Sequence, residues 1–105
     1  MSRAIAGILK WVRALAAEQD VRFTLKARHE LAALGLDAVD AFEVLASLKV
    51  VDFVERLTSE ATGEWMYVFT PCMGGMVIYL KLVLRDRCVV VSFHEDEDGN
   101  DEESL

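Results

Sequence analysis

Tyr79, Lys81 and His94 are the side chains of this sequence best suited to chemistry. They sit on Val77-Ile78-Tyr79-Leu80-Lys81 and on Val89-Val90-Val91-Ser92-Phe93-His94. Strand side chains alternate, so Tyr79 and Lys81 share one face. Counting back from a turn centred on Asp86 sets Tyr79 opposite about Phe93, one residue from His94, an offset that long side chains bridge. A phenol, an ammonium and an imidazole together provide two proton carriers and a cation. Cleavage of RNA without a metal has those needs, because RNA carries its own nucleophile in the 2′-hydroxyl. The protein must supply a base for that hydroxyl, positive charge for the phosphorane, and an acid for the leaving 5′-oxygen. Arg56, Arg85 and Arg87 are candidate phosphate contacts beside Lys81. Each residue also has an ordinary reading: a half-buried sheet tyrosine, a solvating lysine, a strand-end histidine and solvated turn arginines. Trp65, Phe69 and Phe93 read as core, although an exposed Trp65 could stack on a base.

These residues need a scaffold, and the hydrophobic pattern supplies one. Ile5, Ile8, Leu9, Val12 and Leu15 recur at helical spacing, which predicts a helix over about residues 3–18. Val21-Arg22-Phe23 reads as a short extended link. Thr24 is placed to cap a second helix, about 25–34, with Gly35 as its left-handed stop. Asp37 caps a third, about 38–48. The period then changes to two, with Val51, Phe53 and Leu57 alternating against Asp52, Val54 and Arg56 in a strand near 50–57. Further strands are expected near 64–70, 76–84 and 88–94, the last two joined by a tight hairpin at Arg85-Asp86-Arg87. The expected fold is α+β, with three N-terminal helices on one face of a four-stranded antiparallel meander.

The length of 105 residues allows one domain, expected over 1–94. The net charge of −7 is carried by its end. Glu95, Asp96, Glu97, Asp98, Asp101, Glu102 and Glu103 are seven acids without a base, which leaves residues 1–94 with 11 acids and 11 bases. Residues 95–105 therefore read as a flexible acidic tail. A neutral body lacks the basic excess typical of nucleic-acid binders. Although 53% of residues are hydrophobic, no apolar run reaches the roughly 18–20 residues of a membrane span. No signal peptide is apparent. Cys72 and Cys88 lack a disulfide framework or metal-ligand spacing and read as buried thiols of a cytoplasmic protein. No cofactor or metal is expected.

Over about residues 22–95 the sequence resembles the MqsR (motility quorum-sensing regulator) toxins, within the RelE-like superfamily. The likeness is carried by Leu34-Gly35-Leu36-Asp37, by Asp52-Phe53, by Trp65 with Pro71 beyond it, by Tyr79-Leu80-Lys81 and by Val91-Ser92-Phe93. The resemblance implies a toxin of a type II toxin–antitoxin system, an endoribonuclease (mRNA interferase) that cuts messenger RNA, stops translation and is held by a cognate antitoxin. Tyr79 matches a tyrosine of the family's proposed active site. The other matched positions differ: Glu55 stands for a lysine, Met66 for a glutamine and His94 for a lysine. Histidine keeps cationic and proton-transfer capacity, whereas Met66 donates no hydrogen bond and Glu55 reverses a charge that Arg56 would have to restore. An acidic tail folded over the site would mimic phosphate. The alternative reading is a catalytically inactive protein-binding module on the same fold.

Overall fold

The computed structural model describes residues 2–96. Helix α1 spans Ser2–Ala17, α2 Leu25–Ala33 and α3 Ala38–Ala46. Local signals set these limits. Thr24 Oγ1 accepts the Ala27 N–H at 3.1 Å, and α2 ends as expected at Gly35, whose φ is +75°. There Leu36 N–H reaches Leu31 O and Gly35 N–H reaches Ala32 O, both at 2.9 Å, the paired bonds of a Schellman stop. Asp37 and Asp40 cap α3 reciprocally. Buried Ile5, Leu9, Val12 and Leu15 of α1 meet Val44, Leu45 and Leu48 in one core with the sheet.

The strands are β1 (Val21–Phe23), β2 (Phe53–Thr58), β3 (Trp65–Phe69), β4 (Cys72–Met73), β5 (Met76–Leu84) and β6 (Cys88–Glu95). Their order is β1-β6-β5-β3-β2, with β4 paired to β5. The sheet is thus mixed and six-stranded, which corrects the expected four-stranded antiparallel meander. The four predicted strands are present and pair antiparallel with one another, but the link at Val21–Phe23 is an additional edge strand parallel to β6. A three-residue segment carries too little periodicity to reveal a partner 67 residues away.

Two β-bulges control which side chains share a face. In β2, Phe53 pairs with Phe69 but Glu55 pairs with Val68, so Val54 is an extra residue. In β6, Leu82 pairs with Val90 but Lys81 pairs with Ser92, so Val91 is extra. Beyond each bulge the in–out alternation reverses. Phe69, Ile78, Leu80, Leu82 and Phe93 face the helices and are fully buried. Truncating either phenylalanine to alanine would cost about 3–5 kcal/mol.

Four local expectations differ from the structure. Residues Val50–Asp52 form a 3₁₀ turn, so β2 begins at Phe53 and Val51 is 85% exposed. Trp65, at the start of β3, is about half exposed, beneath the Arg56 guanidinium, 4.0 Å from its ring centroid. Cys72 is exposed, while Cys88 is buried and its thiol is pushed up to about 12 by that burial. Glu95 belongs to β6 opposite Ile78, and Asp96 N–H bonds Val77 O at 2.8 Å. The rest of the expected tail, residues 97–105, lies outside the described residues. Among the described residues, no helix is long and apolar enough to cross a membrane.

Candidate functional site

The Val91 bulge carries His94 directly across from Tyr79. Without it, the pairing of the hairpin end would continue unchanged and set Phe93 opposite Tyr79, with His94 turned toward the core. With it, the two rings stack, centroids 5.1 Å apart and planes 11° from parallel. Lys81, two residues along the same face, holds its ammonium 5.9 Å from the Tyr79 ring centroid. The structure therefore brings together Tyr79, Lys81 and His94, on the sheet face turned away from the main core.

His94 is oriented by its own backbone neighbourhood. Its Nδ1 lies 2.8 Å from the carbonyl oxygen of Glu95. A carbonyl only accepts, so Nδ1 carries a proton and Nε2 is the nitrogen left to exchange one. The outer edge of β6 is held by α2 where β1 stops. Thr24 N–H bonds Val90 O at 3.0 Å, and the Thr24 hydroxyl donates to Val91 O at 3.3 Å. Phe93 N–H donates to Glu30 Oε1 at 2.8 Å. Burial pushes the Glu30 carboxyl up, but the Phe93 N–H, Lys26 and nearby His94 outweigh it and hold the group below the usual carboxylate value. An acid on the second helix thereby braces the strand that presents His94.

The three arginines lie apart from this cluster. The Val54 bulge turns Glu55 to the face of Lys81 and turns Arg56 to the helix side, opposite Tyr67. Across the sheet, Glu55, Val68, Lys81 and Ser92 form one row. Glu55 is two strand spacings from Lys81, or about 10 Å. Arg85 forks onto Glu64, with Nε to Oε2 at 2.7 Å and Nη2 to Oε1 at 2.8 Å. That guanidinium lowers the Glu64 carboxyl to about 2. Arg87 approaches Asp20 at 3.9 Å. Both arginines flank the hairpin turn, while Tyr79 lies five residues down β5 from Leu84, about 17 Å at the usual strand rise.

Tyr79, Lys81 and His94 are each partly exposed, while Val68 and Ser92 in the neighbouring row of the same face are buried. A groove of about 500 Å³ lies elsewhere, between α3 and β4, lined by Asp40, Glu43, Lys49, Asp52 and Cys72 among others. Its Asp40 and Asp52 already accept backbone N–H bonds at caps, each at 2.9 Å. Sequence spacing had no means of finding Lys26 and Glu30 beside His94, because nothing in the pattern of α2 reports which strand edge it covers.

Among the described residues, no group of three or more His, Cys, Asp or Glu is placed to hold a metal ion. No curated protein matches the chain. Residues 6–95 match the model of the family described as motility quorum-sensing regulator, toxin of MqsA. The match runs from the first helix to the last residue of β6, with the stacked pair inside it, so this chain belongs to the motility quorum-sensing regulator toxin family.

Proposed function

We infer that this chain is the toxin of a toxin–antitoxin pair and acts in the cytoplasm as a metal-independent endoribonuclease on messenger RNA. Membership of the family implies an antitoxin partner. The observation that carries the nuclease reading is the Tyr79–His94 stack beside Lys81, all three partly exposed. A sheet face, unlike an enclosed pocket, receives an extended single strand with its bases splayed.

In this mechanism His94 Nε2 takes the proton of the 2′-hydroxyl. The 2′-oxygen attacks phosphorus, Lys81 offsets the charge on the phosphorane oxygens, and the bond to the 5′-oxygen breaks. Tyr79 gives its proton to that leaving oxygen. The products are a 2′,3′-cyclic phosphate and a free 5′-hydroxyl, and no atom beyond substrate and protein is required. Each proton carrier is worth on the order of 10²–10⁴-fold in rate.

A second reading, a protein-binding module without catalysis, draws on Glu55. The Val54 bulge gives the site face an acid in the row of Lys81, which opposes a polyanion. Induced expression in bacteria separates the two. Growth arrest with cleaved messages, abolished by Tyr79→Phe and by His94→Ala, is the nuclease outcome. Normal growth with folded protein in the cells would favour the binding module.

A further inference from the structure

Beyond Phe23, where β1 stops, polar side chains of α2 take the place of a strand along the outer edge of β6. Lys26 and Glu30, one helical turn apart, are drawn over that edge. Lys26 Nζ donates to Ser92 Oγ at 2.9 Å and pairs with Glu30 Oε2 at 2.9 Å. The other Glu30 oxygen is taken by the Phe93 N–H at 2.8 Å. Ser92 is buried and is the cross-strand partner of Lys81. The neighbouring pair on the same face is Tyr79 with His94. Lys26 and Lys81 thus flank Ser92 from opposite sides, immediately beside the stacked rings.

This arrangement differs from an ordinary surface ion pair. Two fixed oxygens hold the Lys26 ammonium in position before any ligand arrives, which removes part of the ordering cost of binding. An ammonium has three donors, and two are engaged, leaving one N–H for an anion. The side chain of Lys26 is 59% exposed, so solvent and ligand reach it. Glu30 spends both oxygens on Lys26 and Phe93 and serves as the fixed support of this cation.

We propose that Lys26 binds a backbone phosphate of single-stranded RNA on the α2 side of β6, next to the phosphate that Lys81 holds for reaction. The proposal rests on the ribonuclease reading and adds a binding residue to it. The probe is a short 2′-O-methyl RNA, which lacks the nucleophile and stays intact.

Two measurements test it. In fluorescence anisotropy over a salt series, Lys26→Gln weakens binding on the order of tenfold and flattens the log affinity–log salt slope by about 0.7. Lys26→Arg restores both. Amine acetylation of the native chain, read by mass spectrometry, then avoids any question of folding. The same RNA protects Lys26 and Lys81 but leaves Lys10 and Lys49 reactive. Lys81 protected with Lys26 equally acetylated in both conditions, or Lys26→Gln binding with unchanged affinity and slope, overturns the proposal alone. No protected lysine and no salt-dependent binding by the native chain would overturn the ribonuclease reading and this proposal with it.

Discussion

Tyr79 and His94 are stacked cross-strand partners because β6 contains one residue more than β5 requires, at Val91. The bulge holds two side chains with exchangeable protons face to face and leaves Nε2 of His94 available. It also keeps Phe93 in the core, fully buried. One inserted residue thus satisfies packing and positions chemistry together.

Removing either proton carrier should abolish activity without unfolding the protein. Tyr79→Phe keeps the ring and its stacking but loses the hydroxyl, and His94→Gln keeps a polar side chain of similar reach. Each is expected to lower the cleavage rate of a labelled RNA on the order of 10²–10⁴-fold. Melting temperatures should stay close to that of the native chain. A Tyr79→Phe protein that cleaves at the native rate would remove the phenol from the mechanism.

Exchanging charge at neighbouring positions of β2 should have unequal effects. Glu55 faces the row of Lys81, while Arg56 stands over Trp65 on the other side. Glu55→Lys replaces an acid on the site face with a base and should tighten RNA binding and steepen its salt dependence. Arg56→Ala should leave both unchanged and act only on the packing of Trp65. Binding titrations at several salt concentrations read this directly. Loss of affinity in Arg56→Ala, with Glu55→Lys neutral, would mean that the strand presents its other face to the ligand.

Acid should loosen the edge of β6 through Glu30. Its carboxyl is held below the usual value of 4.5 in the folded state, despite the opposing effect of burial. A depressed carboxylate contributes stability that is present above its unfolded value and lost as the pH falls through its folded value. Stability should therefore decline below about pH 4.5, and the Glu30→Gln protein should show a shallower decline there. At neutral pH, Glu30→Gln should also free Lys26 and weaken the support of Phe93. Hydrogen exchange at the Phe93 amide would report it, and an unchanged rate would exclude Glu30 as its brace.

The segment after Asp96 carries Glu97, Asp98, Asp101, Glu102 and Glu103. The chain leaves the sheet beside Val77, two residues from Tyr79. A chain truncated after Asp96 loses five negative charges and should bind 2′-O-methyl RNA more tightly, most clearly at low salt. Equal affinity of the two chains would leave the acids without a role at this face.

The sequence alone determined the three helices and the four longer strands. Thr24, Gly35 and the Asp37–Asp40 box act within one turn of their own backbone, and the apolar periods of three to four and of two are written in consecutive residues. The shared face of Tyr79 and Lys81 was legible for the same reason, since both lie on one uninterrupted strand. The identity of their neighbours was not. A bulge is a mismatch between two strands, so neither strand records it by itself. Val91 decided that His94, and not Phe93, faces Tyr79; Val54 decided that Glu55, and not Arg56, shares the face of Lys81. The parallel pairing of Val21–Phe23 and the docking of Lys26 and Glu30 on β6 likewise depend on contacts 63–67 residues apart. Tertiary structure decided these because one extra residue reverses every side chain beyond it, and only the partner strand reveals where that residue is accommodated.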